Sequence, residues 1–107
     1  MVKYVALYRT PDDTTGFDEN YFGTHVPIVN RTPGLVRSEI ARVVRTVVGD
    51  PAYYVMAELY FTDYDAMRAA FKTEPWQESG ANLQSWGGME LVTMFTAQVV
   101  DDGGANV

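Results

Sequence analysis

The sequence predicts an α+β domain whose elements follow the order β-α-β-β-α-β. Runs rich in β-branched and aromatic residues alternate with stretches whose apolar residues recur at helical spacing, and clusters of Pro, Gly and Asp separate them. This order is the split βαβ arrangement of ferredoxin-like folds, which predicts one four-stranded antiparallel sheet with both helices on a single face. The 107 residues are enough for one domain and too few for two.

The first strand and the first helix are predicted from neighbouring segments. The segment from Val2 to Tyr8 is rich in Val, Tyr and Leu, which favours a strand. After a Pro-Asp loop, Asp18 is the predicted N-cap of a helix that extends to about Asn30. Apolar side chains at helical spacing within this segment predict one broad buried face.

Pro27 lies inside the predicted first helix, two residues after the only histidine, His25. A proline in a helix removes a backbone donor and clashes with the carbonyl four residues earlier, which is that of Gly23. We therefore expect a kink or an early helix end just after His25, and an irregular backbone around it. Irregular helical turns often occur at functional sites, although a purely structural kink is the alternative.

A β-hairpin is predicted in the middle of the chain. The segment from Leu35 to Val47 is rich in β-branched residues, and Gly49-Asp50-Pro51 predicts a turn. The segment from Ala52 to Phe61 then resumes strand alternation. One predicted face carries Tyr53, Val55, Ala57, Leu59 and Phe61, and the other carries Tyr54, Met56, Glu58 and Tyr60.

The C-terminal half begins with a second predicted helix. Thr62 followed by Asp65 has the pattern of a capping box, and the apolar spacing that follows predicts a helix to about Thr73. Pro75 suits a first helical turn, so a short third helix is predicted from Glu74 to Gln84.

The last predicted strand extends from Met89 to Val100, where apolar and polar residues alternate. The polar, Gly-containing residues 101–107 are expected to form a flexible tail. Residues 1–100 would then be a single domain.

Composition excludes several classes of function. The chain has 14 acidic and 8 basic residues and no cluster of Lys or Arg, which argues against nucleic acid and anionic membranes as partners. It has no cysteine, which excludes disulfides, thiolate nucleophiles and iron-sulfur clusters. The first residues show no basic region followed by a long apolar run, so we expect a cytoplasmic protein.

Cofactor motifs are also missing from the sequence. It has no Gly-rich phosphate loop, no dinucleotide fingerprint and no serine nucleophile elbow. One histidine without thiols makes a poor transition-metal site, and a haem held by His25 would lack the partner residues that haem ligands usually have. We expect no metal and no cofactor.

The face of the sheet without helices needs cover. Val, Met, Tyr and Phe are predicted on it with only scattered charges, so exposure to water would leave a large apolar patch. Pairing of two such sheets in a homodimer would remove this exposure.

Three segments of the sequence resemble the EthD family: Tyr21-Phe22-Gly23-Thr24-His25-Val26-Pro27 with Pro33-Gly34-Leu35 after it, Leu59-Tyr60-Phe61 before Asp63 to Phe71, and Glu74-Pro75-Trp76. The similarity covers the chain from Val2 to about Val100, and the spacing of tyrosine, histidine and proline is its most specific part. This resemblance implies a dimeric α+β barrel with a cavity between the sheet and the helices of each subunit. Similar folds include cofactor-free oxygenases, lactone isomerases, dehydratases and haem enzymes, so the fold leaves the reaction open.

The resemblance implies a functional role for His25, and for Tyr21 one helical turn earlier. An imidazole takes up and releases protons near neutral pH, which makes His25 the candidate general base. Tyr21 could orient the imidazole or donate to a substrate oxygen. The alternatives are a core histidine bonded to a backbone carbonyl and a core tyrosine.

Aromatic residues are the remaining candidates for the site. The residues predicted to contact a substrate are Tyr8, Phe22, Tyr60, Phe61, Phe71 and Trp76. Packing in the core is the alternative for each of them. Tyr54 is a weaker candidate, Trp86 either caps a pocket or closes the core, and Glu58 either acts as a second acid or base or pairs with Arg42.

Two functions are compatible with these residues. The first is a cofactor-independent enzyme in which His25 moves a proton during oxygenation, dehydration or isomerisation of a small apolar or aromatic molecule. The second is a protein that binds a hydrophobic metabolite without catalysis and assists an oxidative degradation or biosynthetic system. The missing second catalytic group favours the latter.

Overall fold

The computed structural model describes residues 1–103, and residues 104–107 of the predicted tail lie outside this range. The elements are β1 (Val2–Arg9), α1 (Thr14–Asn20), a π-helical turn (Tyr21–His25), α2 (Val26–Val29), β2 (Arg37–Arg42), β3 (Tyr53–Phe61), α3 (Tyr64–Phe71), α4 (Glu74–Ser85), a 3₁₀ turn (Gly88–Glu90) and β4 (Val92–Gln98). The predicted α+β class and element order are confirmed, and the predicted second and third helices correspond to α3 and α4.

The four strands form one antiparallel sheet in the order β2-β3-β1-β4. On its helix-covered face, the side chains of β1, β3 and β4 pack beneath the helices. Ala6 of β1 lies there between Ala57 of β3 and Met94 of β4. Two clusters of buried side chains fill this layer, one around Tyr8 and Phe17 and the other around Phe61 and its neighbours. The alternation of strand side chains therefore directs the core toward the helices.

The predicted faces of β3 hold from Val55 onward and are reversed at Tyr53 and Tyr54. Pairing with β1 shifts between Tyr8 opposite Val55 and Arg9 opposite Tyr53, so Tyr54 has no partner in β1. A bulge of this kind turns two successive side chains toward the same face. The Tyr54 ring consequently contacts Phe17 on the helix side, with ring centroids 5.4 Å apart.

Both predicted N-caps are wrong, the first by five residues and the second by one. Asp13 caps α1 by accepting a hydrogen bond from the backbone N–H of Gly16 at 3.0 Å, whereas Asp18 lies inside α1 and accepts from the Tyr54 hydroxyl. Asp63, and not Thr62, caps α3 by accepting from the N–H of Ala66 at 2.8 Å. In each case the aspartate that directly precedes the first turn takes the capping position.

The first helix does not end after His25, as the prediction allowed. It continues through Pro27 to Val29, and the irregular backbone expected around His25 is a π-helical turn. The N–H of Val26 bonds to the carbonyl of Tyr21, five residues earlier. This wide turn brings the chain to Pro27 near the start of α2, where a missing N–H is tolerated.

Both outer strands are shorter than predicted. β2 covers only residues 37–42 of the expected 35–47, because the chain beyond Val43 has no neighbouring strand against which to bury its valines. Val44, Val47 and Val48 are almost fully exposed there. β4 begins at Val92 because the 3₁₀ turn occupies the preceding residues.

The far face of the sheet, defined as the face without helices, carries both charged and apolar side chains. Lys3 and Glu58 form an ion pair at 3.3 Å, and the Tyr60 hydroxyl donates to the same carboxylate. Val5 lies opposite Phe95 on this face, and Phe95 is 45% exposed. Within residues 1–103, no helix is both long and apolar enough to cross a membrane.

Candidate functional site

A cavity of about 220 Å³ lies between the sheet and the helices. Its floor is formed by β1 and β3, and its walls come from the π turn and from α4. The ionisable side chains that line it are Tyr4, Tyr8, Tyr21 and His25, and the remaining lining is mostly apolar. None of the described residues that line the cavity is a carboxylate or a lysine, so His25 is the lining group with an ordinary pKa closest to neutrality.

The π turn places Tyr21 and His25 side by side on the cavity wall. Their rings stack with centroids 5.4 Å apart and an interplanar angle of 27°. Both side chains are buried, and His25 is only 6% exposed. The irregular turn thus places a buried imidazole beside a tyrosine.

The imidazole of His25 lies in a largely apolar environment. Burial lowers its pKa below the ordinary value, while the Asn82 side chain and the Ser79 backbone, both on α4, oppose this shift. Nδ1 is buried and makes no hydrogen bond of normal geometry with the described residues. The ring is therefore mostly neutral near pH 7, and its protonation is sensitive to whatever occupies the cavity.

Tyr8 on β1 and Tyr21 on the π turn form a second polar group. Their rings meet edge to face with centroids 4.8 Å apart. Burial raises the pKa of both phenols, and the proximity of Tyr21 raises that of Tyr8 further. Both phenols therefore remain protonated at neutral pH.

The structure brings together some of the aromatic residues predicted for the site. Tyr8, Tyr21, His25 and Trp76 all line the cavity. The predicted substrate contacts Phe22, Tyr60, Phe61 and Phe71 do not line it.

The physical reason differs among these four residues. Phe61 is fully buried in the core, and Phe71 stacks on the outer side of Trp76. Tyr60 lies on the far face, where the Arg37 guanidinium covers its ring, and the Phe22 ring lies beneath Arg42. Glu58 pairs with Lys3 and not with Arg42, which bonds instead to Tyr54 and Asp18.

Sequence reasoning missed the contribution of α4. Ser79 and Leu83 line the cavity beside Trp76, and Met94 closes it from β4. The three α4 residues are spaced at i, i+3 and i+7, which is the signal that could have identified them. Asn82 was also missed, because an asparagine on a predicted surface helix carries no distinctive pattern.

Few residues of the cavity could hold a metal or cofactor. Within the described part of the chain, no three His, Asp or Glu side chains lie together. Among the described lining residues, His25 is the one nitrogen ligand, and it lies beside tyrosine hydroxyls and methionine sulfurs. This donor set offers hydrogen bonds and apolar contacts to an organic molecule more readily than ligands to a metal.

The fold and the site define a ferredoxin-like α+β protein with an apolar cavity and one buried histidine. The family model of the EthD domain matches residues 10–83, a span that includes the π turn and most of α4. The chain belongs to the EthD family.

Similar proteins agree with this assignment. An EthD family protein from Bacillus halodurans is 33% identical, with a TM-score of 0.87 over 94% of this chain and 99% of that one. An uncharacterized 11.0 kDa protein from the thcB-thcC intergenic region of Rhodococcus erythropolis is 27% identical over 90% of this chain and 93% of its own length. SnoaB, a cofactor-independent oxygenase from Streptomyces nogalater, shares the fold at 20% identity, with a TM-score of 0.62 over 99% and 97% of the two chains.

Proposed function

We propose that this protein binds a small, largely apolar or aromatic molecule in the helix–sheet cavity and that His25 transfers a proton to or from it without a cofactor. The observation that carries the proposal is His25 itself: a buried imidazole on the wall of an apolar cavity, with one nitrogen lacking a normal hydrogen bond. Buried polar groups are rarely left without partners, so a group supplied by a ligand is the natural complement.

The size of the cavity sets the size of the ligand. A cavity of about 150 Å³ lined by apolar side chains binds benzene. The cavity here is about 220 Å³, which suits a molecule of one or two fused rings. The rings of Tyr4 and Trp76 meet edge to face at its wall, with centroids 4.9 Å apart, and such walls favour flat aromatic ligands.

The chemistry suited to this site is proton abstraction from a weakly acidic C–H or O–H group. A neutral imidazole of lowered pKa is a competent base at pH 7, and the protonated tyrosines can donate to a substrate oxygen. Enolisation of this kind is a first step common to oxygenation, dehydration and isomerisation. SnoaB, which has the same fold, is a cofactor-independent oxygenase, and this supports a proton-transfer function without assigning the reaction.

A non-catalytic binding protein is the second candidate. It is favoured by the absence of a second acid or base of near-neutral pKa among the residues that line the cavity. In that case His25 would orient a hydrophobic metabolite through one hydrogen bond, and chemistry would take place on a partner enzyme.

Deuterium exchange into 2-tetralone distinguishes the two functions. This bicyclic ketone carries an acidic C–H that a base removes; the electron pair moves onto the carbonyl oxygen, and a deuteron from D₂O returns to the same carbon. The proposal expects exchange over many turnovers per protein, above the rate of free imidazole, and its loss in His25→Gln while 2-tetralone still binds. Binding by the native protein without faster exchange would leave the binding function, and absence of binding by small aromatic probes would contradict both.

We also propose that two copies of the chain pair through their far faces. Val5, Leu7, Met56 and Phe95 form an apolar strip there, beside the ion pair of Lys3. Burial of such a strip against a second copy removes apolar surface from water. Dimeric ferredoxin-like proteins among the solved structures of this fold support the pairing.

A further inference from the structure

The exposure of Met89 marks the place where the cavity meets solvent. Met89 belongs to the 3₁₀ turn before β4 and lines the cavity, although it is 42% exposed. Every other described residue of the lining is buried or half-buried. A residue that lies against both the cavity and the solvent is at a mouth.

The opposite side of this mouth belongs to α4. Trp76 and Gly80 both line the cavity and are four residues apart, so they lie on one flank of the helix. Trp86 lies on the other flank, where its ring meets that of Phe17 on α1 edge to face, with centroids 5.4 Å apart. The flank with Gly80 therefore faces away from α1 and toward the outer strand β4.

Trp76 closes the cavity at the first turn of this flank. Its ring meets that of Tyr4 edge to face, with centroids 4.9 Å apart, and the Tyr4 hydroxyl donates to Sδ of Met94 on β4 at 2.6 Å. These contacts connect the start of α4 to β4. One turn further along α4, Gly80 has no side chain with which to continue the closure.

Neither of the usual reasons for a glycine applies to Gly80. It lies in the interior of α4, where its backbone is helical and glycine is less favourable than alanine. Apart from its own helical turn, no atom of the described residues lies within 4 Å of a Cβ placed on Gly80. Close packing therefore does not require a glycine here, and the space beside it stays open.

We propose that the cavity opens to solvent between Gly80 and Met89, and that Gly80 determines specificity because its missing side chain lets a substituent of the bound ring pass through the mouth. This inference rests on the proposed function. The cavity of about 220 Å³ accommodates the ring, and a longer molecule must extend through the mouth.

The side chains around the mouth indicate which substituent fits. Gly80, Met89 and Met94 carry no charge, and methionine side chains adapt to different shapes. A hydrocarbon chain gains contacts there, whereas a charged group would lose hydration without a partner. Because His25 lies on the wall formed by the π turn, a ring that meets it directs its far end toward β4. The ligand class is therefore a ring with an acidic C–H or O–H group at one end and an apolar chain at the other.

Cysteine labelling tests the mouth without a ligand, because the chain has no cysteine of its own. Ala57→Cys places a thiol on the buried floor of the cavity. Its reaction with methyl methanethiolsulfonate, a small neutral reagent, forms a mixed disulfide, releases methanesulfinate and measures access from solvent. In this background we expect Gly80→Leu to slow labelling about tenfold and Met89→Ala to accelerate it.

Ala81→Leu is the matched control for the labelling experiment. It adds the same side chain to α4 one residue further along, at an exposed position that does not line the cavity. We expect Ala81→Leu to leave the labelling rate unchanged. If Gly80→Leu and Ala81→Leu had the same effect on the rate, the proposed mouth would be wrong.

Two related probes test the substituent. In 6-butyl-2-naphthol the chain lies across the ring system from the hydroxyl, and the native protein should bind it about tenfold more tightly than 2-naphthol, because the mouth shelters part of the chain. Gly80→Leu should abolish this gain while 2-naphthol still binds, and Ala81→Leu should retain it. Equal affinities of the native protein for the two probes, or a gain that persists in Gly80→Leu, would overturn the specificity.

The two experiments separate this inference from the proposed function. If neither naphthol bound to the native protein, the proposed function and the ligand class would both be contradicted, and labelling would still decide where the cavity opens. If 2-naphthol bound and Gly80→Leu changed neither labelling nor the preference for the butyl chain, the proposed function would stand and the mouth would lie elsewhere.

Discussion

The rings of Tyr21 and His25 stack with centroids 5.4 Å apart, although the two residues lie at opposite ends of a single π-helical turn. The wide turn and the stacking together hold the imidazole in the wall of the cavity, away from water. The shape of this helical turn therefore keeps the imidazole desolvated, and desolvation lowers its pKa.

The pH dependence of stability should reveal the burial of His25. Its pKa in the folded protein is below the ordinary value of about 6.5 that the unfolded chain regains. Between the lowered pKa and about 6.5 the unfolded state binds more protons, so the free energy of unfolding rises with pH through this window. The contribution is fully present above about 6.5 and is lost as the pH falls toward the folded pKa.

Urea unfolding of the native protein and of His25→Gln between about pH 5 and pH 8 measures this effect, since the carboxylates titrate equally in both. The difference in unfolding free energy between the two proteins should favour the native chain more at high pH than at low pH. A difference that does not vary with pH would show that His25 titrates normally.

Two glycines near the site should respond oppositely to alanine. A Cβ at Gly88 would lie 2.5 Å from Cδ1 of Leu83 and close to the Trp86 ring, so Gly88→Ala should cost about 1–3 kcal/mol through overpacking. Gly80, inside α4, has no atom near the added methyl, so Gly80→Ala should stabilise by about 0.5–1 kcal/mol. Thermal unfolding of both variants checks the signs, and equal effects would contradict the close packing of Gly88 against Leu83 and Trp86.

The cap of α3 can be tested with neighbouring residues. Asp63→Ala removes the acceptor for the N–H of Ala66 and should destabilise by about 1 kcal/mol. Thr62→Ala, one residue earlier, should have little effect, because the Thr62 side chain is exposed and is not the cap. Denaturant unfolding compares the two variants, and the reverse order would restore the capping box expected from the sequence.

Filling the cavity should abolish ligand binding. Ala57 on β3 lines the cavity, so the longer side chain in Ala57→Met occupies space that a ligand needs. Binding of 2-naphthol, followed by calorimetry, should weaken at least about tenfold. Ala69→Met on the exposed side of α3 is the matched control and should bind normally. Unchanged binding by Ala57→Met would place the ligand elsewhere.

The far face should govern the oligomeric state. Phe95 is 45% exposed on β4, and Phe95→Glu places a charge in the apolar strip that the proposed dimer buries. Sedimentation analysis should show a dimer for the native chain and a monomer for this variant. Tyr64→Glu, a comparably exposed aromatic position on α3, should remain dimeric. If the native protein were a monomer, this would contradict the proposed pairing of two far faces.

The sequence predicted the fold because its periodic patterns are local. The strand alternation of β3 and the helical spacing around Met67 survive in the structure, since each segment buries the face that its pattern marks. The strand ends were less predictable. Val44 and Val47 have high strand propensity, but a strand also needs a neighbouring strand with which to pair. The position where that neighbouring strand ends cannot be predicted from the propensity of these residues.

The site was predictable where a residue type is unusual and not where it is common. His25 and Tyr21 were found because a single histidine beside a proline is distinctive. Phe61 and Tyr60 were predicted for the site on the same grounds as the other aromatic residues. Phe61 nevertheless lies in the core, and Tyr60 lies on the far face. The side of the sheet that an aromatic residue faces depends on register, and one bulge at Tyr54 reverses it.

The π turn also places a limit on how this chain can vary in length. A π turn contains one residue more than the α turn that it replaces, and each residue of an α-helix turns the chain by about 100°. Deletion of Gly23, which has no packing neighbour near its Cα hydrogens, would give the helix a regular α turn here. The residues on the two sides of the deletion would keep the phase of the native helix, because the N–H of Val26 would then bond to the carbonyl of Tyr21 four residues earlier. Inside the turn, His25 would follow Tyr21 by three residues instead of four, so the stacking of the two rings would change while the flanking helices stayed in place.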